Sequence, residues 1–168
     1  MQRFDPDLPG FMQGDVTDVT LREPASFAPL GVSNLVIDPT RPFGIKVEWE
    51  VYGLLVPLWM SALGGAWNVS VYAESVGGGP ERLIGTANVN VNNSSPATVH
   101  AGEPNARKYT ANIQVAPNTL QEGNPGSNRS GVYKLVTTTF LDSSLPGVPG
   151  FDVVGFEEGP IIMVENPV

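Results

Sequence analysis

The sequence contains no cysteine and one histidine, His100. Without cysteine there is no disulfide, no thiolate nucleophile and no Cys-based metal site. A single histidine leaves transition-metal sites essentially without ligands. Charge is also scarce, at 15% of residues, and unbalanced: 17 acids against 9 bases give a net charge of −8. The bases are scattered, apart from the neighbours Arg107 and Lys108. Nucleic acid and anionic membrane therefore find no basic footprint, and neither is expected as a partner. No apolar run approaches the roughly 18 residues of a membrane span. Residues 1–14 lack an apolar stretch behind a basic start, so they do not read as a signal peptide, and a cytoplasmic protein is expected. A secreted mature form is the other possibility.

What is abundant is turn chemistry. Gly and Pro number 19 and 16 of 168 residues, while 41% of residues are apolar. Many turns joining short apolar segments are the pattern of an all-β domain. The length suits one domain with a core of its own.

Residues 1–31 stand apart. Pro6, Pro9, Pro24 and Pro29 alternate with Asp5, Asp7, Asp15 and Asp18, and neither strand nor helix periodicity is strong. This stretch reads as an extended arm with at most one short strand, at Val16 to Leu21. Its apolar residues (Phe4, Leu8, Phe11, Met12, Phe27 and Leu30) are too many for a free tail. The arm packs on its own domain or reaches a neighbouring subunit.

From Val32 to the end, residues 32–168 form the main domain, and period two dominates. Seven runs follow one another: Val32–Ile37, Phe43–Tyr52, Trp67–Glu74, Arg82–Val91, Arg107–Val115, Gly131–Asp142 and Phe151 to about Val164. In the second, Ile45, Val47, Trp49 and Val51 share one face, and Lys46, Glu48 and Glu50 the other. In the fourth, Leu83, Ala87, Val89 and Val91 are predicted inward. The sixth has apolar residues on both faces, as a central strand does. Gly155 and Gly159-Pro160 are expected to break or bulge the seventh. No stretch of twelve residues makes a convincing amphipathic helix, and there is no internal repeat.

The string Ser130-Gly131-Val132-Tyr133-Lys134-Leu135 resembles the start of strand F in immunoglobulin and fibronectin type III domains, where a Tyr after a small residue forms the tyrosine corner. Tyr133 takes the matching position, and Trp67 the place of the core Trp. The resemblance spans about residues 32–165 and is one of superfold, not of family. It implies an all-β, seven-stranded, immunoglobulin-like antiparallel sandwich with an extended N-terminal arm. The missing cysteines and Arg129, where an acid is common, depart from the pattern. A jelly roll is the alternative.

No catalytic residue is assigned. His100 lies in a polar loop with no recognisable partner and without a nucleophile elbow. Glu157 and Glu158 point to opposite faces of a strand and cannot work as a glycosidase pair. Asp5, Asp7, Asp15 and Asp18 match no calcium loop. Gly77-Gly78-Gly79-Pro80 lacks the Lys of a phosphate loop and is a turn. Sequons begin at Asn68, Asn92, Asn93 and Asn128 and read as chance matches in a chain rich in Asn and Ser. No cofactor and no metal are expected.

One segment is anomalous. Between the second and third runs lie Leu54, Leu55, Val56, Leu58, Trp59, Met60 and Leu63, where a sandwich loop is normally polar. These residues either cap the open end of the sandwich, with a turn of helix, or form a partner-binding surface. The expectation is a non-catalytic protein-binding or assembly module, a structural subunit of a homo-oligomer or larger complex. The alternative is a carbohydrate- or small-ligand-binding sandwich using Trp59 and Tyr72.

Overall fold

The computed structural model describes the chain except residues 1–2, 31–34, 64, 80, 125, 127, 143–151 and 167–168; the side chains of Arg3, Ala62 and Leu63 are also outside the described part. Ten strands and one helix are described: β1 (Arg3–Asp5), β2 (Gln13–Arg22), β3 (Val36–Ile37), β4 (Phe43–Tyr52), α1 (Val56–Leu63), β5 (Ala66–Ser75), β6 (Arg82–Asn90), β7 (Ser95–Pro96), β8 (Arg107–Val115), β9 (Val132–Leu141) and β10 (Val153–Val164). They form two sheets. One runs β1-β10-β9-β5-β6, with β3 parallel to the far end of β10; the other runs β2-β4-β8-β7.

Alternation drives this arrangement. A strand that is apolar at every second position must bury one face, and two such sheets bury theirs against each other. Ile45, Val47, Trp49 and Val51 of β4 are completely buried, as are Trp67, Val69, Val71 and Ala73 of β5. Each such large side chain contributes about 1.5–3 kcal/mol. At the centre three rings meet. Trp49 stacks on Tyr109 at 5.5 Å and meets Trp67 edge-on at 5.6 Å, while Trp67 lies 5.5 Å from Tyr109. The Tyr109 hydroxyl donates to the Val91 carbonyl at 3.0 Å, which satisfies the one polar atom that ring carries inward.

Six of the seven runs coincide with β4, β5, β6, β8, β9 and β10 to within a few residues. Of the first run the described part is Leu35 and β3; residues 32–34 and 143–151 lie outside the described residues. The strand total differs from seven because β1, β2 and β7 add to the set. In β6 the predicted facing of Leu83 is corrected: Leu83 is exposed and Ile84 is buried. The register slips between Val71 and Tyr72, so Gly85 and Leu83 pair with successive residues of β5 and Ile84 is the extra residue. In β10 the register shifts between Glu158 and Ile161, where Gly159-Pro160 was expected to interrupt the ladder.

The segment read as an arm supplies a strand to each sheet. β1 pairs with β10 (Arg3↔Phe156, Asp5↔Val154), and β2 pairs with β4 along its whole length. The chain therefore crosses from one sheet to the other between residues 5 and 13, closing the sandwich along one edge. Phe4 fills that seam. A Cβ on Gly14 would sit 2.4 Å from the Phe4 ring, and one on Gly155 would sit 2.9 Å from it. Two glycines facing each other across the sheets leave the volume one benzyl group occupies.

At the start of β9, Gly131 has φ +70°, and its backbone packs against Gly123. Two residues on, the Tyr133 hydroxyl donates to the Gln121 carbonyl at 2.9 Å. Tyr133→Phe keeps the ring and strands that carbonyl. The expected cost is about 1–3 kcal/mol; equal urea midpoints for the two proteins would show the bond to be dispensable.

Candidate binding surfaces

Leu54 and Leu55 lead from β4 into α1. The turn is set by Gly53, at φ +126°, whose α-carbon faces the Phe11 carbonyl so closely that a Cβ would lie 2.4 Å from that oxygen. Backbone bonds then tie this segment to the turn between β1 and β2: Leu54 N–H to the Gly10 carbonyl at 3.1 Å, and Leu55 N–H to the Phe11 carbonyl at 2.8 Å. Pro57 falls in the first turn of α1, where its missing N–H costs no helix bond.

Eight helical residues divide the apolar set into two. Val56 and Met60, four apart, are buried in the core, and Trp59 packs against it half-buried. Met60 Sδ lies 3.6 Å from the Tyr109 hydroxyl oxygen. These three cap the end of the sandwich, so Val56 and Met60 are not available to a partner. Leu54 and Leu58 face solvent, 61% and 65% exposed. Leu55 is intermediate, and the Leu63 side chain lies outside the described residues. The turn bonded to this segment adds Leu8 and Phe11, 43% and 53% exposed. The joined apolar end was not legible in the sequence, because some 40 residues separate its two halves.

A second surface adjoins it. His100 is not the solvated loop histidine the sequence suggests. Its Nε2 lies 2.7 Å from Asp15 Oδ2, which also accepts the Tyr52 hydroxyl at 3.1 Å. The imidazole stacks on the Tyr52 ring at 4.1 Å, 21° from parallel. What places it there is Glu50, on the outer face of β4 and yet wholly buried. Its carboxylate accepts the backbone N–H groups of Thr98 (2.7 Å), Val99 (3.1 Å) and His100 (2.8 Å) and the Thr98 hydroxyl (2.9 Å). Burial pushes the Glu50 carboxyl up, but these bonds outweigh it and hold the group below its ordinary value. The Tyr52 phenol is pushed up to about 12, first by burial and then by the negative charge of Asp15.

Between this clasp and the seam opens a cleft of about 600 Å³, lined by Phe4, Asp5, Asp7, Gln13, Gly14, Asp15, Tyr52, Val154 and Phe156. Asp7 Oδ1 takes the Gln13 side-chain N–H at 2.8 Å. The structure thus brings together three of the four aspartates singled out in the sequence. The fourth, Asp18, instead faces Arg22 and Lys46 on the outer side of β2. Among the described residues no three His, Asp or Glu side chains are grouped to hold a metal ion.

The other candidates are apart from this region. Tyr72 lies half-buried on the outer face of β5, opposite Val136 and Leu83. Glu158 pairs with Lys134 at 3.5 Å, and Lys134 reaches Glu74 at 3.0 Å. No described helix is long and apolar enough to cross a membrane.

No family model matches the chain, and no curated protein matches it. Among solved structures a β-glucosidase from Erythrobacter marinus is similar to it, with a TM-score of 0.45 and 10% sequence identity over 92% of this chain. The match covers 16% of the enzyme, so this chain spans about a sixth of that protein's length. A likeness of that degree carries nothing about chemistry.

Proposed function

We propose that the chain is a non-catalytic protein-binding or assembly module, a structural subunit that joins copies of itself or a larger complex through the apolar end of its sandwich. One observation carries this reading. Leu8, Phe11, Leu54 and Leu58, large apolar residues of two segments whose backbones are hydrogen-bonded to each other, are all exposed to solvent. Contiguous exposed apolar surface is a feature of interaction sites and a solubility cost elsewhere. The fold proposed beside it is immunoglobulin-like. Its supports are the strand sequence β2-β4-β8 facing β10-β9-β5-β6 and the Tyr133 bond across the start of β9.

The test is light scattering after size exclusion, over a range of concentrations, on the native chain and on Leu54→Ser with Leu58→Ser. Association of the native chain is expected, falling at least about tenfold in the double variant, a difference of about 1.4 kcal/mol. Because both side chains are already in solvent, the monomer's stability should move by less than about 0.5 kcal/mol. A native chain that stays monomeric at every concentration would remove self-assembly. The second reading, a carbohydrate- or small-ligand-binding sandwich, draws its support from the aromatic and polar walls of the seam cleft.

A further inference from the structure

The seam cleft combines two wall chemistries. Phe4, Tyr52 and Phe156 supply aromatic surface, and Asp5, Asp7 and Asp15 supply carboxylates; among the described residues that line it none is Lys or Arg. The carboxylates are distributed round a volume of about 600 Å³ and are not gathered at a point. A compact metal ion needs converging oxygens at about 2.3–2.6 Å. A flat, extended cation instead contacts separated carboxylates at its rim and aromatic rings with its faces.

The chain itself shows this mode of contact on the same walls. His100 is a planar N–H donor that lies on the Tyr52 ring at 4.1 Å while its Nε2 meets Asp15 at 2.7 Å. The Gln13 carboxamide, also planar, donates to Asp7 at 2.8 Å. Each carboxylate has lone pairs beyond the ones these contacts use. The Tyr52 phenol is pushed up first by burial and then by the negative charges of Asp15, Glu103 and Asp7, and the three carboxylates that line the cleft make its field negative.

We propose that this cleft binds a guanidinium group, stacked against Phe156 and held at its edges by Asp5 and Asp7. Arginine's fork matches carboxylate geometry, and its charge is delocalised and weakly hydrated, which suits a half-open cleft with aromatic walls. The group arrives either on a free small guanidine or on an arginine side chain of a protein partner. The proposal does not depend on the assembly reading, since none of the four apolar-end residues lines the cleft.

Isothermal titration with two probes tests it: agmatine as the free guanidine, and an acetylated, amidated Gly-Arg-Gly peptide as the chain-borne one. Each is paired with its neutral citrulline-type isostere, in which a urea replaces the guanidinium. At least one charged probe is expected to saturate, with its isostere about tenfold or more weaker. Binding should weaken by a similar factor in Asp7→Asn and in Phe156→Leu, both away from the core cluster, and should fall as salt is raised. Tyr52 and Phe156 ring resonances should shift in step with binding. Leu54→Ser with Leu58→Ser should bind as the native chain does, even if its association is lost. Tighter binding of agmatine identifies a small-molecule ligand, and tighter binding of the peptide a protein one. The proposal is overturned if neither probe binds, if the neutral isosteres bind equally well, or if Asp7→Asn and Phe156→Leu, shown to be folded by their melting curves, leave affinity unchanged.

Discussion

Glu50→Ala is expected to destabilise the fold by about 3–5 kcal/mol, since a hydrogen bond to a charged group contributes about 1.5–3 kcal/mol and four of them end on this carboxylate. Three backbone N–H groups and one hydroxyl converge on this carboxylate, and all four lose that acceptor when it is gone. The loop from Thr98 to His100 would then release His100 from Asp15 and Tyr52, opening one wall of the cleft. Glu50→Gln is a milder companion: its amide nitrogen has to face one of the donors, so part of the loss remains. The same carboxylate gives the native chain an acid dependence. Its folded value lies below the ordinary glutamate value of 4.5. Its contribution is therefore fully present above pH 4.5 and disappears as pH falls through the lowered folded value. Glu48 adds to the same window: burial pushes it up, but Lys46 and Lys108 bring it below its ordinary value. Urea denaturation at several pH values checks both points. A Glu50→Ala variant within about 1 kcal/mol of the native chain at neutral pH would show that the loop needs no such anchor, since a single net hydrogen bond is worth that much.

Trp49→Ala should cost a comparable amount, about 3–5 kcal/mol, through a different mechanism. The ring is fully buried at the meeting point of the two sheets, against Trp67 from the opposite sheet and Tyr109 from the adjacent strand. Its removal leaves a cavity that neither sheet can close without losing its own register. A double-mutant cycle with Tyr109→Phe and Tyr109→Leu separates ring stacking from volume. Stacking should appear as a coupling of about 0.5–1.5 kcal/mol between Trp49 and the aromatic ring at 109, seen only with the Leu change. Additive losses in the cycle would mean that the rings fill space without interacting specifically.

The strands were legible because their signal is local. Ile45, Val47, Trp49 and Val51 alternate with Lys46, Glu48 and Glu50 without interruption, and β4 has the bounds that this pattern predicts. β2 was only half seen, as Val16 to Leu21. Its register shifts between Val16 and Asp18, which breaks period two where the signal was needed. Leu83 was misfaced for the same reason. The clasp was invisible: Glu50 occupies an outer, charged position of an amphipathic strand, and nothing near it announces a loop 48 residues on that covers it. Asp15, Tyr52 and His100 likewise meet only through tertiary structure. The apolar segment was visible as a chemical anomaly, but its division into core and exposed halves required the helix phase that α1 provides.

The seam between β1 and β10 also orders events in time. Arg3 lies opposite Phe156 and Asp5 opposite Val154, so the first described strand pairs with the last. On a ribosome, Phe4 is made some 150 residues before the Gly155 side of its slot exists. Until then β2, β4 and β8 can assemble, while the benzyl group and the β9 edge that β10 will cover stay open to water and to other chains. Closure by such distant residues is slow relative to local pairing. The seam cleft, whose walls come from both sides of that closure, is thus complete only when the whole sandwich is.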